Sequence, residues 1–219
     1  WDVDSGKQVE LIAPISPVKA LAFSPDGRRL AGAGNGPLRP AVAAGLAARL
    51  REEKPDTRGL IQEASGLSTS TIRIWDTHSG EQTAALPAYI GHVDLLAFTP
   101  DGTRLVTAGS DDESTIQVWD SATGERVARF VAHKGPVRCF AFSPGGKRLA
   151  SGEGGRDAAV RVWDLASGQE LMNFRACDDR ETAASAMAFS RDGRRLAVAA
   201  SGGALTIWDA ARWTPDQSE

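Results

Sequence analysis

A tryptophan and aspartate pair returns along this chain at nearly fixed intervals, and that beat limits the possible folds more than any other feature. The tryptophans are Trp1, Trp75, Trp119, Trp163 and Trp208, so successive gaps are 74, 44, 44 and 45 residues. Their surroundings are alike: TIRIWDTHSGE at Thr71 to Glu81, TIQVWDSATGE at Thr115 to Glu125, AVRVWDLASGQ at Ala159 to Gln169 and LTIWD at Leu205 to Asp209, with WDVDSGK as a partial copy at the start. Such a period marks a repeat array, in which each unit buries its surface against its neighbours.

A second marker keeps time with the first. FSPDG begins at Phe23, FTPDG at Phe98, FSPGG at Phe142 and FSRDG at Phe189. From Phe to the following Trp is 21 residues in the second and third repeats, 19 in the fourth and 52 in the first. Loops in compact domains are short, so the excess of about 31 residues marks an insertion between Asn35 and Ser70.

Within each repeat the apolar residues alternate, or form short β-branched runs bounded by Gly, Pro, Asp and Ser, which is the pattern of strands. In the second repeat the pattern predicts strands near Val93 to Phe98, Leu105 to Ala108, Thr115 to Trp119 and Arg126 to Phe130. Pro-Asp-Gly presets one backbone angle and supplies a glycine where φ must be positive, which closes a tight hairpin between the first two strands. Gly6, Gly80, Gly124 and Gly168 serve the turn between the third and fourth.

These residues resemble the WD-repeat β-propeller family. The resemblance implies an all-β fold of four-stranded antiparallel blades set radially about a channel. The repeats then divide a single propeller domain, 1-219, into four blades: 13-86 carrying the insertion 36-69, 87-130, 131-174, and 175-219, which lacks its fourth strand. Residues 1-12 would end a preceding repeat and supply a lone fourth strand at Lys7 to Ile12. Two arrangements stay open: a small closed ring completed by that strand, which would remove an exposed sheet edge, and an arc of a larger propeller of about seven blades. Because the chain opens inside the repeat motif, an excerpt of a longer protein is one expectation. Arginine supplies 20 of the 25 basic residues, and with abundant alanine this leans on GC-rich codons and a bacterial source.

The resemblance also implies a buried hydrogen-bonded tetrad of His, Ser or Thr, Asp and Trp in each blade. The third repeat matches it with His133, Ser151, Asp157 and Trp163. In the second, Tyr89 takes the histidine position beside Thr107, Asp111 or Asp112, and Trp119. In the first, Pro14 and Gly32 replace His and Ser. In the fourth, Arg180, Val198 and Gly202 replace all but Trp208. The motif itself supplies Trp75, Asp76, Asp120, Asp164 and Asp209. Burying an indole contributes about 4–6 kcal/mol as an upper figure, against about 0.5–1.5 kcal/mol for each tetrad hydrogen bond, so a blade survives the loss of its tetrad.

The insertion differs in character. Val42, Leu46 and Leu50 recur at helical spacing between Pro40 and Pro55, which predicts an amphipathic helix near Ala41 to Glu53. It opens on the face that carries the loop of His133, the upper face, on which family members usually bind partners. Two readings stand: a lid or docking helix over the channel mouth, and a tolerated loop excursion.

Composition narrows the function. With 25 basic against 28 acidic residues the net charge is −3, so no global field draws the chain to nucleic acid or anionic lipid. No apolar run approaches the roughly 20 residues of a membrane helix. Two cysteines, Cys139 and Cys177, make neither a disulfide framework nor a metal pair, which fits a cytoplasmic setting. His78, His92 and His133 show no metal-ligand spacing, and Asp111-Asp112-Glu113 reads as a solvated turn with one Asp in the tetrad, rather than a cation site or a general acid–base pair. No catalytic residue, cofactor or metal site is expected.

The expected function is therefore a non-catalytic interaction scaffold, or a regulatory or sensing module, that binds a protein or peptide on the upper face. Contact residues are expected at Tyr89, His92, Lys134, Arg156 and Arg180. Two alternatives belong to other classes: an enzyme or small-molecule binder using the channel, and blades that serve only as structure within a larger multidomain protein.

Overall fold

The computed structural model describes residues 18–35, 69–90, 92–110, 114–154, 159–176 and 183–209. The helix expected near Ala41 to Glu53, the strand expected at Lys7 to Ile12, and Asp111, Asp157, Arg156 and Arg180 lie outside them. The described residues are all-β and form four antiparallel sheets. The first holds β1 (Val18–Phe23), β2 (Arg29–Asn35), β3 (Thr69–Asp76) and β4 (Gln82–Ile90). The second holds β5 (His92–Phe98), β6 (Arg104–Ser110), β7 (Thr115–Asp120) and β8 (Arg126–Val131). The third holds β9 (Val137–Phe142), β10 (Arg148–Glu153), β11 (Ala159–Asp164) and β12 (Glu170–Arg175), and the fourth β13 (Ala184–Phe189), β14 (Arg195–Ala200) and β15 (Leu205–Asp209). Each sheet is an up-and-down meander in chain order, as short connections between sequential strands favour.

The sheets are blades stacked face to face. Their first strands stand side by side, β1 by β5, β5 by β9 and β9 by β13. Between blades 1 and 2, Ile72 and Ile74 of β3 meet Leu96, Phe98, Leu105 and Trp119. Between blades 2 and 3, Ile116 and Val118 meet Leu149 and Trp163. Between blades 3 and 4, Val160 and Val162 meet Leu196, with Phe189 and Trp208 at the margin. One strand position thus serves each junction in turn, because alternate residues of the third strand face the next blade.

The turns follow the repeated words. Gly102 sits at φ +70°, and its amide donates to Thr99 O at 2.8 Å. The Asp101 carboxylate accepts from Thr99 Oγ1 at 2.5 Å and from the Thr103 amide at 3.0 Å. Only a residue tolerant of the left-handed region closes this hairpin without strain. Where the third and fourth strands meet, Thr83, Val127 and Leu171 are each passed over in the pairing register just beside the tryptophan, forming a bulge in blades 1, 2 and 3.

A register of arginines also ties the blades together. Arg29 reaches from blade 1 to donate to Ser121 O at 3.1 Å and Gly102 O at 2.7 Å of blade 2, with its guanidinium 5.4 Å from the centre of the Phe98 ring. Arg104, at the matching place of blade 2, donates to Leu165 O of blade 3 at 3.3 Å.

Candidate functional site

The upper end of blade 3 is organised on one buried hydroxyl. Ser151 of β10 lies under the loop between β8 and β9, and its Oγ accepts from Trp163 Nε1 at 2.8 Å. His133 Nε2 lies 2.7 Å from the same hydroxyl, which donates to it or accepts from it according to the ring tautomer. His133 Nδ1 is buried without a hydrogen-bond partner and faces Glu153 Oε2 at 3.6 Å, beyond hydrogen-bond reach. Burial, reinforced by the charge of Arg161, pushes the His133 pKa down to about 4, so the ring is neutral near pH 7.

Strand pairing sets the rest of the site. Ser151 pairs with Arg161, Arg161 with Asn173, and Ala159 with Arg175, and directly paired residues share a sheet face. The outcome is an open hollow of about 230 Å³ lined by Lys134, Glu153, Ala159, Arg161, Asn173 and Arg175. Arg161 Nη1 is held by Glu170 Oε2 at 3.0 Å, whereas its Nε is buried and has no hydrogen-bond partner. Among the described residues Lys134, Arg161 and Arg175 line the hollow beside Glu153, with Glu170 paired to Arg161, which leaves a small excess of cations on a chain of net charge −3.

Of the residues expected to contact a partner, Lys134 lines this hollow and is exposed. His92 opens β5, on a different blade, with Nδ1 3.3 Å from Lys19 Nζ. Tyr89 is paired in the backbone with Ser70. Glu153, Arg161, Asn173 and Arg175 were missed by reading loops alone. The signal for them was present: Arg161 stands two residues before Trp163, so strand alternation puts both on one face.

In blade 2 the Trp119 Nε1 donates to Thr107 Oγ1 at 3.0 Å. In blade 1 a Cβ at Gly32 would lie 3.0 Å from the Trp75 ring, which occupies the space a hydroxyl side chain would need. In blade 4, Val198 offers no acceptor, and Trp208 Nε1 is buried without a hydrogen-bond partner. The aspartates after the tryptophans cap turns at the opposite end. Asp76 Oδ1 accepts from the amides of His78 and Ser79, each at 2.8 Å, Asp120 from those of Ala122 and Thr123, and Asp164 from those of Ala166 and Ser167. Those bonds hold all three carboxyls below the usual aspartate value.

A larger hollow of about 340 Å³ lies at that end, between blades 2 and 3, beside Thr99, Asp101, Arg104 and Asp164. Thr99, Asp101, Arg104 and Asp164 are already engaged there in turns and in the junction between blades. Among the described residues no group of three or more His, Cys, Asp or Glu is placed to hold a metal. Cys139 is buried, and burial pushes its thiol up to about 11. No helix among the described residues is long and apolar enough to cross a membrane.

A family model described as "WD domain, G-beta repeat" matches residues 83–120, 124–164 and 168–209, more than half of the chain. The chain belongs to the WD40 family. Each WD40 match begins in or just before a fourth strand and ends at the third strand of the next blade, so the family's unit is offset from the blade by one strand. Blade 1 has the same strand order and the same junction although the family model does not match β1 to β3. WD40 repeats generally mediate protein–protein interaction, and the family is typically non-enzymatic. Among solved structures, the crystal structure of the computationally designed Ika4 protein is similar at a TM-score of 0.65 and 21% identity, over 93% of this chain and 98% of that one. At that identity the likeness shows the fold alone. No curated protein matches.

Proposed function

We propose that this WD40 chain is a non-catalytic interaction scaffold that takes an acidic segment of a partner protein on its upper face, at the hollow of blade 3. One observation carries the reading: Lys134, Arg161 and Arg175 converge on an open hollow, while the chain as a whole is negative. A cationic patch on an anionic protein steers and orients an acidic partner. The exposed Lys134 and Arg175 provide the first contacts. Arg161, held by Glu170, presents a fixed planar donor suited to a carboxylate.

A fluorescein-labelled oligoglutamate peptide titrated against the chain, with anisotropy as the readout, tests this. Saturable binding that weakens as salt rises is expected, with about a tenfold loss or more in the double variant Lys134→Glu, Arg175→Glu. Equal affinity in the double variant would overturn the proposal.

A further inference from the structure

Positions buried at every internal junction are bare at the two ends of the array. Leu96 and Phe98 of β5 are 8% and 6% exposed under blade 1, but their counterparts on β1, Leu21 and Phe23, are 60% and 66% exposed. Ile116 and Val118 of β7 are fully buried against blade 3, yet Leu205 and Ile207, at the same places of β15, are 70% and 63% exposed. Blade 1 therefore offers the receiving half of a junction and blade 4 the inserting half. Apolar side chains so grouped mark an interaction surface.

The polar parts of the junction are divided in the same way. Arg195 opens β14 where Arg29 opens β2, and it is exposed. On blade 1, Phe23, Gly27 O and Thr77 O stand where blade 2 offers Phe98, Gly102 O and Ser121 O to Arg29. Space beside Gly27 is open, whereas a Cβ at Gly102 would meet Pro25 of the preceding blade at 3.4 Å. The chain's own three junctions thus specify what covers each end: a blade of this same sequence. Blade 1 and blade 4 carry complementary halves of one junction, so a second copy of the chain fits both faces at once.

We propose that two chains associate head to tail, blade 4 of each on blade 1 of the other, and close into one eight-bladed ring. Eight blades lie within the range known for propellers, and a head-to-tail contact repeated twice closes without leaving a free end. In each new junction Leu205 and Ile207 would cover the partner's Leu21 and the partner's Phe23. Arg195 would lie over the partner's Phe23 and donate to the partner's Thr77 and the partner's Gly27 carbonyls.

Sedimentation equilibrium of the full chain tests this. The expected mass is about 46 kDa, twice the 23.1 kDa chain. Phe23→Glu and Ile207→Glu alter exposed residues, so each variant should keep the unfolding curve of a folded chain and sediment as a monomer. An equimolar mixture of the two should recover dimers, because a mixed ring keeps one junction unaltered. As a second measurement, Thr77→Cys chains mixed with Arg195→Cys chains should give a reducible cross-linked dimer. A monomeric wild type, an open series of larger oligomers, or a mixture that stays monomeric would overturn the proposal. So would a wild-type dimer that both variants leave intact, since that contact would lie elsewhere.

Discussion

The indole Nε1 of Trp119 donates to Thr107 Oγ1 at 3.0 Å, while the matching Trp208 Nε1 in blade 4 is buried against Val198 with no hydrogen-bond partner. The two blades are therefore paired experiments on one buried donor. Thr107→Val should cost about 1–3 kcal/mol, because it leaves the Trp119 donor unsatisfied. Val198→Thr should instead stabilise, since it supplies the missing acceptor at nearly constant volume. Urea unfolding of the two variants measures both changes, and they are expected to have opposite signs.

Acid should act through His133 first. Its folded pKa is about 4 against an ordinary 6.5, so the unfolded chain takes up a proton that the folded chain refuses. This contribution to stability is fully present above pH 6.5, and is lost as pH falls toward 4. The slope is at most about 1.4 kcal/mol per pH unit. Stability measured between pH 7 and 4 should fall less steeply for His133→Gln than for the wild type.

A second acid step belongs to the turns. Asp26, Asp76, Asp101, Asp120, Asp164 and Asp192 are all held below the ordinary 3.8 by hydrogen bonds to their carboxylates. What they contribute is present above 3.8 and disappears as pH falls through their lower folded values. Asp120→Asn should make the chain less sensitive to pH below 4, which unfolding curves collected from pH 4 to 2 would measure.

The junction between blades 1 and 2 depends on Arg29, which satisfies Gly102 O and Ser121 O at once. Arg29→Ala should cost about 1.5–3 kcal/mol. Hydrogen exchange should quicken in blade 1 more than in blade 3, because the lost bonds join blade 1 to the rest.

At Gly102, φ is +70° and Pro25 of the neighbouring blade lies 3.4 Å from where a Cβ would sit. Gly102→Ala should cost about 1 kcal/mol or more, as alanine does at positive φ. Gly145, the second residue of a similar turn, has open space around it and no positive φ. Gly145→Ala should change the unfolding midpoint little.

Much of the fold was legible because its signals are local and repeat. Phe98, Asp101, Gly102 and Trp119 mark a strand, a turn and a strand within 22 residues, and the array prints similar marks four times. The site was less legible because it is not local. Lys134 stood out as a loop residue, but Arg161 and Arg175 reach the same hollow only through the register of β10, β11 and β12. Glu153 is nearer to His133 in sequence than the expected tetrad partner Asp157, yet no motif singled it out. The bare faces at Phe23 and Ile207 could not be read from composition at all. Leu21-Ala22-Phe23 repeats Leu96-Ala97-Phe98, in which Leu96 and Phe98 are buried, Leu205 and Ile207 are apolar like the buried Ile116 and Val118, and packing distinguishes them.

The most direct measurement of function is an amide hydrogen-exchange footprint of the chain with and without the oligoglutamate peptide at low salt. Slowed exchange confined to the loop around Lys134 and to β11 and β12, with blade 1 unchanged, is the predicted result. A footprint on other blades, or none at saturating peptide, would contradict an acidic partner at the blade 3 hollow.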